Sequence, residues 1–139
     1  EQVLYKESGL LGVSGVSNDM RTILEHAATG NERCQLAVEI FTYMTKKYIG
    51  AYAAAMGGID ALTFTAGIGE NSPIVREMVC EGMEFLGVEL DRRRNAEAIG
   101  KEMVISKPAA RTQVLVVPTD EEKMIALDTM RLAGLGVKP

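Results

Sequence analysis

A short apolar segment that leads through a glycine turn into a helix start constrains the fold of this chain most. Residues 61–65 are mostly apolar and too few for a helix, so they predict a strand. The glycines of residues 67–71 predict a turn, and Pro73 after Ser72 predicts a helix start, because proline suits the first helical position. A strand that turns directly into a helix is typical of layered α/β proteins. The sequence therefore predicts an α/β fold in which helices pack against a sheet.

Helical and strand-like patterns alternate along the rest of the chain. The predicted helices are residues 20–27, 32–56, 73–86, 92–99 and 121–132, and the further strands are 103–105 and 114–117. Asn18 or Asp19 is the predicted N-cap of the first helix, and Gly30 with Asn31 ends it and starts the second. Gly57 with Gly58 ends the second helix. Residues 8–17, rich in glycine and serine, predict a loop or a short extended piece.

Two of the predicted helices have faces that can be assigned from spacing. The helix at 32–56 carries an apolar stripe at steps of three and four: Ala37, Phe41, Met44, Tyr48, Ala51 and Ala55. Its alanines would let another element pack closely, and a second copy of the helix across a dimer axis is one candidate. The helix at 73–86 is predicted to face the core with Val75, Val79, Gly82 and Leu86.

The composition excludes several classes of protein. A chain of 139 residues fits one domain, and its net charge of -4 argues against a nucleic-acid partner. No apolar run reaches the roughly 18 residues of a membrane-spanning helix, so no membrane partner is expected. With only two cysteines, Cys34 and Cys80, the chain cannot build a disulfide framework and is interpreted as a reduced, cytoplasmic protein.

The glycine turn is the first candidate site. Ligands bind at strand ends in α/β sheets, and Gly67 and Gly69 would let backbone N–H groups approach a phosphate. The same pattern is also typical of a tight turn without a ligand. It lacks the Gly-Lys-Ser/Thr of a P-loop and the third glycine of a dinucleotide fingerprint.

Two other segments combine charged residues with helix starts. Asp19 followed by Arg21 is either an ordinary N-cap or a pair that frames a polar ligand, with Met20 offering apolar surface to a ring. Thr119 with Glu122 is a predicted capping box, yet a carboxylate directly after a strand could also hold magnesium beside a nucleotide phosphate. The patterns alone leave both interpretations open.

Three ordered blocks resemble the acetate kinase family. Residues 64–73 read Phe-Thr-Ala-Gly-Ile-Gly-Glu-Asn-Ser-Pro and resemble the family signature, which residues 81–87 continue. Residues 8–21 resemble a second block, and residues 117–122 resemble a third. The resemblance is collinear over nearly the whole chain, which makes it far more specific than the glycines alone.

This resemblance implies a fold and an activity. Acetate kinases belong to the superfamily of sugar kinases and actin, with two lobes of ribonuclease-H-like α/β fold and the nucleotide in the cleft between them. They transfer a phosphoryl group reversibly between ATP and acetate, giving ADP and acetyl phosphate, with Mg²⁺ and with Mn²⁺ as an alternative. The family forms homodimers through its C-terminal lobe.

Site residues are carried over from the family by position. The nucleotide-binding residues implied in this way are Asp19, Met20, Arg21, Gly67, Ile68, Gly69, Glu70 and Asn71. Glu121 is the implied magnesium ligand. Relatives often have Asn at the position of Asp120, so the acidic pair leaves open which carboxylate reaches the metal.

The matching blocks are those of the C-terminal portion of such an enzyme. In this interpretation residues 1–139 are a nucleotide-binding and dimerisation lobe, with a mixed sheet that is incomplete because upstream strands are absent. The last helix, about residues 121–132, is expected to pack toward the N-terminal lobe. The catalytic residues are expected upstream of residue 1, so the chain alone is predicted to be inactive.

Two alternatives stay open at this stage. Propionate and butyrate kinases share the fold and much of the signature, and the acyl pocket that separates them from acetate kinases lies outside this chain. The second alternative is a dimerisation module that has no nucleotide affinity of its own.

Overall fold

Three strands form a mixed sheet in the computed structural model, which describes residues 2–135. They are β1 (Ala61–Phe64), β2 (Met103–Val104) and β3 (Gln113–Val116), in the order β1-β3-β2. β1 runs parallel to β3, whereas β2 runs antiparallel to it. The predicted α/β class and mixed sheet are therefore confirmed. All three predicted strands exist, each slightly shorter or shifted from its predicted bounds.

The described part of the chain also contains eight α-helices. They are α1 (Gln2–Lys6), α2 (Gly9–Ser14), α3 (Met20–Ala28), α4 (Glu32–Met56), α5 (Ala66–Asn71), α6 (Pro73–Cys80), α7 (Arg92–Glu97) and α8 (Glu121–Leu132). None of them is long and apolar enough to cross a membrane. The local start signals hold, because the side chains of Asp19, Asn31 and Ser72 accept backbone N–H bonds at the starts of α3, α4 and α6.

The glycine-rich segment near the start is helical, so the predicted loop is wrong. Residues 9–14 form α2, which Gly15 ends in the left-handed conformation with φ of 68°. Arg33 of α4 donates to the carbonyls of Gly12 and Val13 at 3.0 and 2.9 Å, which satisfies acceptors at the end of α2. This tertiary contact offsets the low helix propensity of glycine.

The predicted turn at residues 67–71 is also helical. It forms α5, and Gly69 allows the helix to lie directly on the end of β1. A Cβ atom at Gly69 would stand 3.2 Å from the carbonyl carbon of Phe64. Ala66 enters the helix at φ of 57°, a left-handed conformation that glycine usually takes. Gly69 therefore serves close packing of helix on strand.

The helix predicted over residues 73–86 is too long. α6 ends at Cys80, and Gly82 follows in the left-handed region with φ of 73°. A short 3₁₀ turn covers Glu84–Leu86 before Gly87 at φ of 80°. Val75 and Val79 are buried as predicted, but Gly82 is exposed and Leu86 is only half-buried.

The predicted apolar stripe on α4 is divided between the core and the surface. Ala37 is buried and Phe41 packs partly against the core, but the remaining four members are exposed: Met44, Tyr48, Ala51 and Ala55. The residues that α4 buries instead are Cys34, Val38, Thr42 and Ala53. α4 packs against α2, α3 and α6.

Two clusters of buried side chains make up the core. The first joins α3, α4 and α6, and its members are Met20, Ile23, Cys34, Ala37, Val38, Val75 and Val79. The second lies against the sheet, and its members are Cys80, Met83, Val88, Ala98, Ile105, Val114 and Val116. Phe64, the last residue of β1, packs against both clusters. Both cysteines are free and buried, which agrees with the prediction that the chain builds no disulfide framework.

Candidate functional site

The carboxyl ends of β1 and β3 lie side by side, because the two strands are parallel and Phe64 pairs with Val116. One residue further on, the Val117 N–H donates to the Phe64 carbonyl at 2.9 Å. α5 follows β1 and α8 follows β3, so two of the predicted site segments leave the sheet at the same edge. Ligands of open α/β sheets bind at such an edge.

A cleft of about 470 Å³ opens between the start of α3 and α5. Its lining residues are Asn18, Asp19, Met20, Arg21, Leu24, Gly67, Ile68, Asn71 and Ser72. The fold thus brings together two predicted blocks that are distant in sequence. Six of the eight predicted nucleotide-binding residues line this cleft, whereas Gly69 and Glu70 do not.

Asp19 and Arg21 form a bidentate ion pair at the start of α3. Arg21 donates through Nη2 to Asp19 Oδ2 at 2.7 Å and through Nε to Oδ1 at 3.2 Å. The Arg21 backbone N–H also donates to Oδ1, at 2.9 Å, so Asp19 is at the same time the N-cap. These hydrogen bonds from Arg21 hold the pKa of Asp19 below its usual range, and Asp19 raises that of Arg21. The structural and the ligand-framing interpretations are therefore compatible.

Met20 faces the core more than the cleft. Its side chain is 3% exposed and packs in the first core cluster. Little of its surface is presented to a ring bound in the cleft. The predicted contact between Met20 and a nucleotide remains a prediction.

Glu70 connects α5 with the start of α8. Its Oε1 atom accepts from both the backbone N–H and the hydroxyl of Thr119, each at 2.8 Å. These hydrogen bonds lower the pKa of Glu70. The predicted capping box is wrong: Asp120 caps α8 by accepting from the Lys123 N–H at 2.9 Å, since the Thr119 hydroxyl is bonded to Glu70.

Arg76 supports α5 through hydrogen bonds, and the sequence patterns did not predict this role. The residue is completely buried, and its guanidinium donates to five acceptors. These are the carbonyls of Gly69 (2.7 Å), Glu70 (3.0 Å), Asn95 (2.8 Å) and Ala98 (2.9 Å), and Oδ1 of Asn95 (2.7 Å). The carbonyls lie at the ends of α5 and α7, where the partial charge of a helix is negative and stabilises a cation. An arginine among apolar helix positions was the one available signal.

Glu121 is exposed in the first turn of α8, and its side chain has no hydrogen-bond or ion-pair partner among residues 2–135. Asp120 beside it is used as the helix cap. The described residues contain no group of three or more His, Cys, Asp or Glu side chains that could hold a metal ion. Mg²⁺ commonly takes one or two carboxylates and completes its shell with water and substrate phosphates, so a single exposed glutamate fits that chemistry.

A second, larger cleft of about 970 Å³ lies along α6 and the start of α7. None of the predicted site residues lines it. Charged groups on its walls are already paired, Arg92 with Glu77 at 2.7 Å and Lys107 with Glu89 at 3.2 Å. The cleft between α3 and α5 is therefore the better candidate despite its smaller volume.

Sequence comparison relates the chain to known enzymes. Residues 1–127 match the acetokinase family. The acetate kinase of Thermotoga maritima is 59% identical over 132 residues, which are 94% of this chain and 33% of that enzyme. The acetate kinase of Porphyromonas gingivalis strain W83 is 56% identical over 131 residues, with the same coverage. The chain thus spans about a third of the length of the curated relatives it matches.

Structural comparison agrees with the sequence comparison. The crystal structure of Porphyromonas gingivalis acetate kinase superimposes with a TM-score of 0.88 at 55% identity, over 95% of this chain and 33% of that one. Acetate kinase from Entamoeba histolytica gives 0.87 at 39% identity, over 94% and 35%. A propionate kinase from Francisella tularensis gives 0.80 at 37% identity, over 90% and 31%.

Proposed function

The chain belongs to the acetokinase family, and from this premise we propose that it is the C-terminal, nucleotide-binding part of an acetate kinase. The complete enzyme would transfer the γ-phosphoryl group of ATP reversibly to acetate, giving acetyl phosphate and ADP. The ribonuclease-H-like assignment of the fold and the cytoplasmic location belong to the same proposal.

The observation that carries the proposal is the cleft between α3 and α5. Its walls come from two separate blocks that resemble the family, and its volume of about 470 Å³ falls within the range of about 300–1,000 Å³ that is usual for ligand pockets. In the proposal the adenosine lies along Asp19, Met20 and Arg21. The phosphates lie toward α5, at Gly67, Ile68, Gly69 and Asn71, whereas the Glu70 carboxylate is engaged by Thr119.

Magnesium is the proposed cofactor, with Glu121 as its protein ligand and Mn²⁺ as an alternative metal. Bound there, the ion would neutralise charge on the nucleotide phosphates. Glu121 is favoured over Asp120 because Asp120 already accepts the Lys123 N–H as the cap of α8. The remaining ligands would be phosphate oxygens and water.

Catalysis would need residues that this chain does not supply. Phosphoryl transfer depends on positioning the two substrates and on cations around the transferred group. Our proposal assigns the acyl-side residues to the other part of the enzyme, so the chain alone should form no acetyl phosphate. The apolar side chains of Met124, Ile125 and Leu132 are 58%, 66% and 83% exposed on α8. Their exposure supports packing of this helix against the N-terminal lobe.

Propionate kinase is the second candidate. The TM-score of 0.80 with the Francisella enzyme supports it, although the acetate kinases superimpose more closely at higher identity. Competition between acetate and propionate in the complete enzyme would separate the two, because only the acyl pocket distinguishes these substrates. A kcat/KM higher for propionate would replace acetate in the proposal.

Homodimerisation through α4 is also part of the proposal. Several large apolar side chains of this helix are exposed: Leu36, Ile40, Tyr43, Met44, Tyr48, Tyr52 and Met56. A set of exposed apolar side chains on one helix is typical of a protein interface. A second copy of α4 would cover it.

Calorimetric titration of the chain with Mg-ATP and Mg-ADP tests nucleotide binding. Gly67→Val is the informative variant, because Gly67 lines the cleft and an added Cβ atom there meets no protein atom within 4 Å. Gly50→Val is the matched control, since Gly50 is also helical with open space at its Cβ position. We expect binding to the wild type and to Gly50→Val, and its loss in Gly67→Val. A folded wild-type chain that binds neither nucleotide would favour the dimerisation module instead.

A further inference from the structure

Two hydrogen bonds from a single carboxylate oxygen tie α8 to the cleft wall. Both run from Thr119 to Oε1 of Glu70. Among the described residues, no other hydrogen bond or ion pair joins residues 119–132 to another element, and α8 has no buried residue. Within the described residues, this contact is therefore the hydrogen-bonded link between the start of α8 and α5.

We propose that Glu70 is a positioning residue, which holds Thr119 and thereby places Glu121 beside the nucleotide cleft, and that it is not itself a nucleotide ligand. The inference rests on the proposed function and refines the role of Glu70 within it. Glu70 lies on α5 between Ile68 and Asn71, which line the cleft, but Glu70 does not line it. Glu121 is two residues beyond Thr119, a separation that spans at most about 7 Å.

Electrostatics favour this role over a direct contact with the nucleotide. The hydrogen bonds from Thr119 keep Glu70 ionised by lowering its pKa. An ionised carboxylate repels the phosphates of a nucleotide unless a cation stands between them. Oε1 already accepts two hydrogen bonds, so Glu70 is better suited to hold the backbone of Thr119 than to bind phosphate.

The test compares variants of the full 139-residue chain in Mg-ATP and in ATP with EDTA. We expect Glu70→Ala and Thr119→Val each to weaken Mg-ATP binding on the order of tenfold, as expected for loss of a hydrogen bond to a charged group. Binding of metal-free ATP should be unchanged, and the double variant should be no weaker than Glu70→Ala alone. Thr119→Ser should restore wild-type affinity because it keeps the hydroxyl. Thr129→Val is the matched control, since the Thr129 hydroxyl bonds only within α8.

Amide hydrogen exchange at Thr119 gives a readout that needs no nucleotide. The Thr119 N–H should be protected in the wild type and should exchange faster in Glu70→Ala, but not in Thr129→Val. Equal loss of affinity with and without Mg²⁺ in Glu70→Ala would overturn the proposal, because it would place Glu70 on the nucleotide. Additive effects in the double variant, or an unprotected Thr119 amide in the wild type, would overturn it as well. If the wild type binds no ATP but its Thr119 amide is protected through Glu70, the nucleotide function would be refuted. Only the hydrogen bonding between Glu70 and Thr119 would then stand.

Discussion

Arg76 donates to Oδ1 of Asn95 at 2.7 Å across 19 residues of sequence, and both side chains are buried. The Asn95 amide in turn donates to the carbonyl of Pro73 at 2.9 Å. Arg76 has no carboxylate partner within the described residues, so neutral acceptors alone compensate its charge. The pair joins α6 to α7 and supports α5, which forms one wall of the proposed nucleotide cleft.

Replacing Arg76 by methionine should destabilise the chain severely. The substitution keeps the apolar volume but removes five hydrogen bonds, and it leaves the Gly69 and Ala98 carbonyls and Oδ1 of Asn95 without a partner among the described residues. We expect a loss of about 3 kcal/mol or more in the free energy of unfolding. Urea denaturation measures this loss. Arg93→Met is the control, because Arg93 is exposed and should change stability by less than about 0.5 kcal/mol. Similar losses in both variants would mean that the buried network does not stabilise the fold.

Gly87 and Gly57 separate backbone strain from steric overlap. Both are left-handed, with φ of 80° and 77°, but a Cβ atom at Gly87 would lie 2.8 Å from Cβ of Arg111, whereas one at Gly57 meets nothing within 4 Å. We expect Gly57→Ala to lower the free energy of unfolding by about 1 kcal/mol through strain alone. Gly87→Ala should lose at least about 1 kcal/mol more through overpacking. Thermal unfolding of both variants checks the order, and equal losses would contradict the steric argument.

Local signals predicted the elements whose causes are local. Asp19, Asn31 and Ser72 cap their helices because each carries an acceptor next to a helical run, and Gly57 ends α4 because it adopts φ of 77° without strain. The strand β1 was predictable because its apolar residues lie between segments rich in glycine, which end regular structure. Such interactions span only a few residues, so the sequence contains them directly.

The contacts that build the site were beyond reach because they join distant segments. Glu70 meets Thr119 across 49 residues only because β1 and β3 pair in parallel. Arg33 reaches Gly12 across 21 residues and stabilises a helix where glycine predicts none. The family resemblance identified the candidate residues of the cleft. It could not distinguish residues that line the cleft from residues such as Glu70 that support it.

The Asp19–Arg21 pair should give the chain a measurable acid sensitivity. Arg21 lowers the pKa of Asp19 in the folded state. The contribution of the ion pair to the free energy of unfolding is therefore complete above the ordinary aspartate pKa of about 3.9, and it is lost as pH falls through the lower folded value. Asp19→Asn removes the charge but keeps a good N-cap. It should be less stable than the wild type near neutral pH, and the difference should vanish in strong acid. Urea denaturation from pH 7 to pH 2 measures it, and a difference independent of pH would contradict the ion-pair assignment.

We expect the chain to self-associate through α4. Tyr48 and Tyr52 stack with ring centroids 6.3 Å apart and remain 57% and 63% exposed, so they present aromatic surface that no described residue of the chain covers. Such side chains are often the anchors of interfaces, where truncation commonly costs 2 kcal/mol or more, by rough estimate. We expect light scattering to show a dimer for the wild type and a shift to monomer for Tyr52→Glu, because a buried charge would stand at the contact. Lys101→Glu, an exposed position outside α4, should leave the dimer intact. A wild type that stays monomeric at high concentration would exclude this interface, and a dimer that survives Tyr52→Glu would place the contact elsewhere.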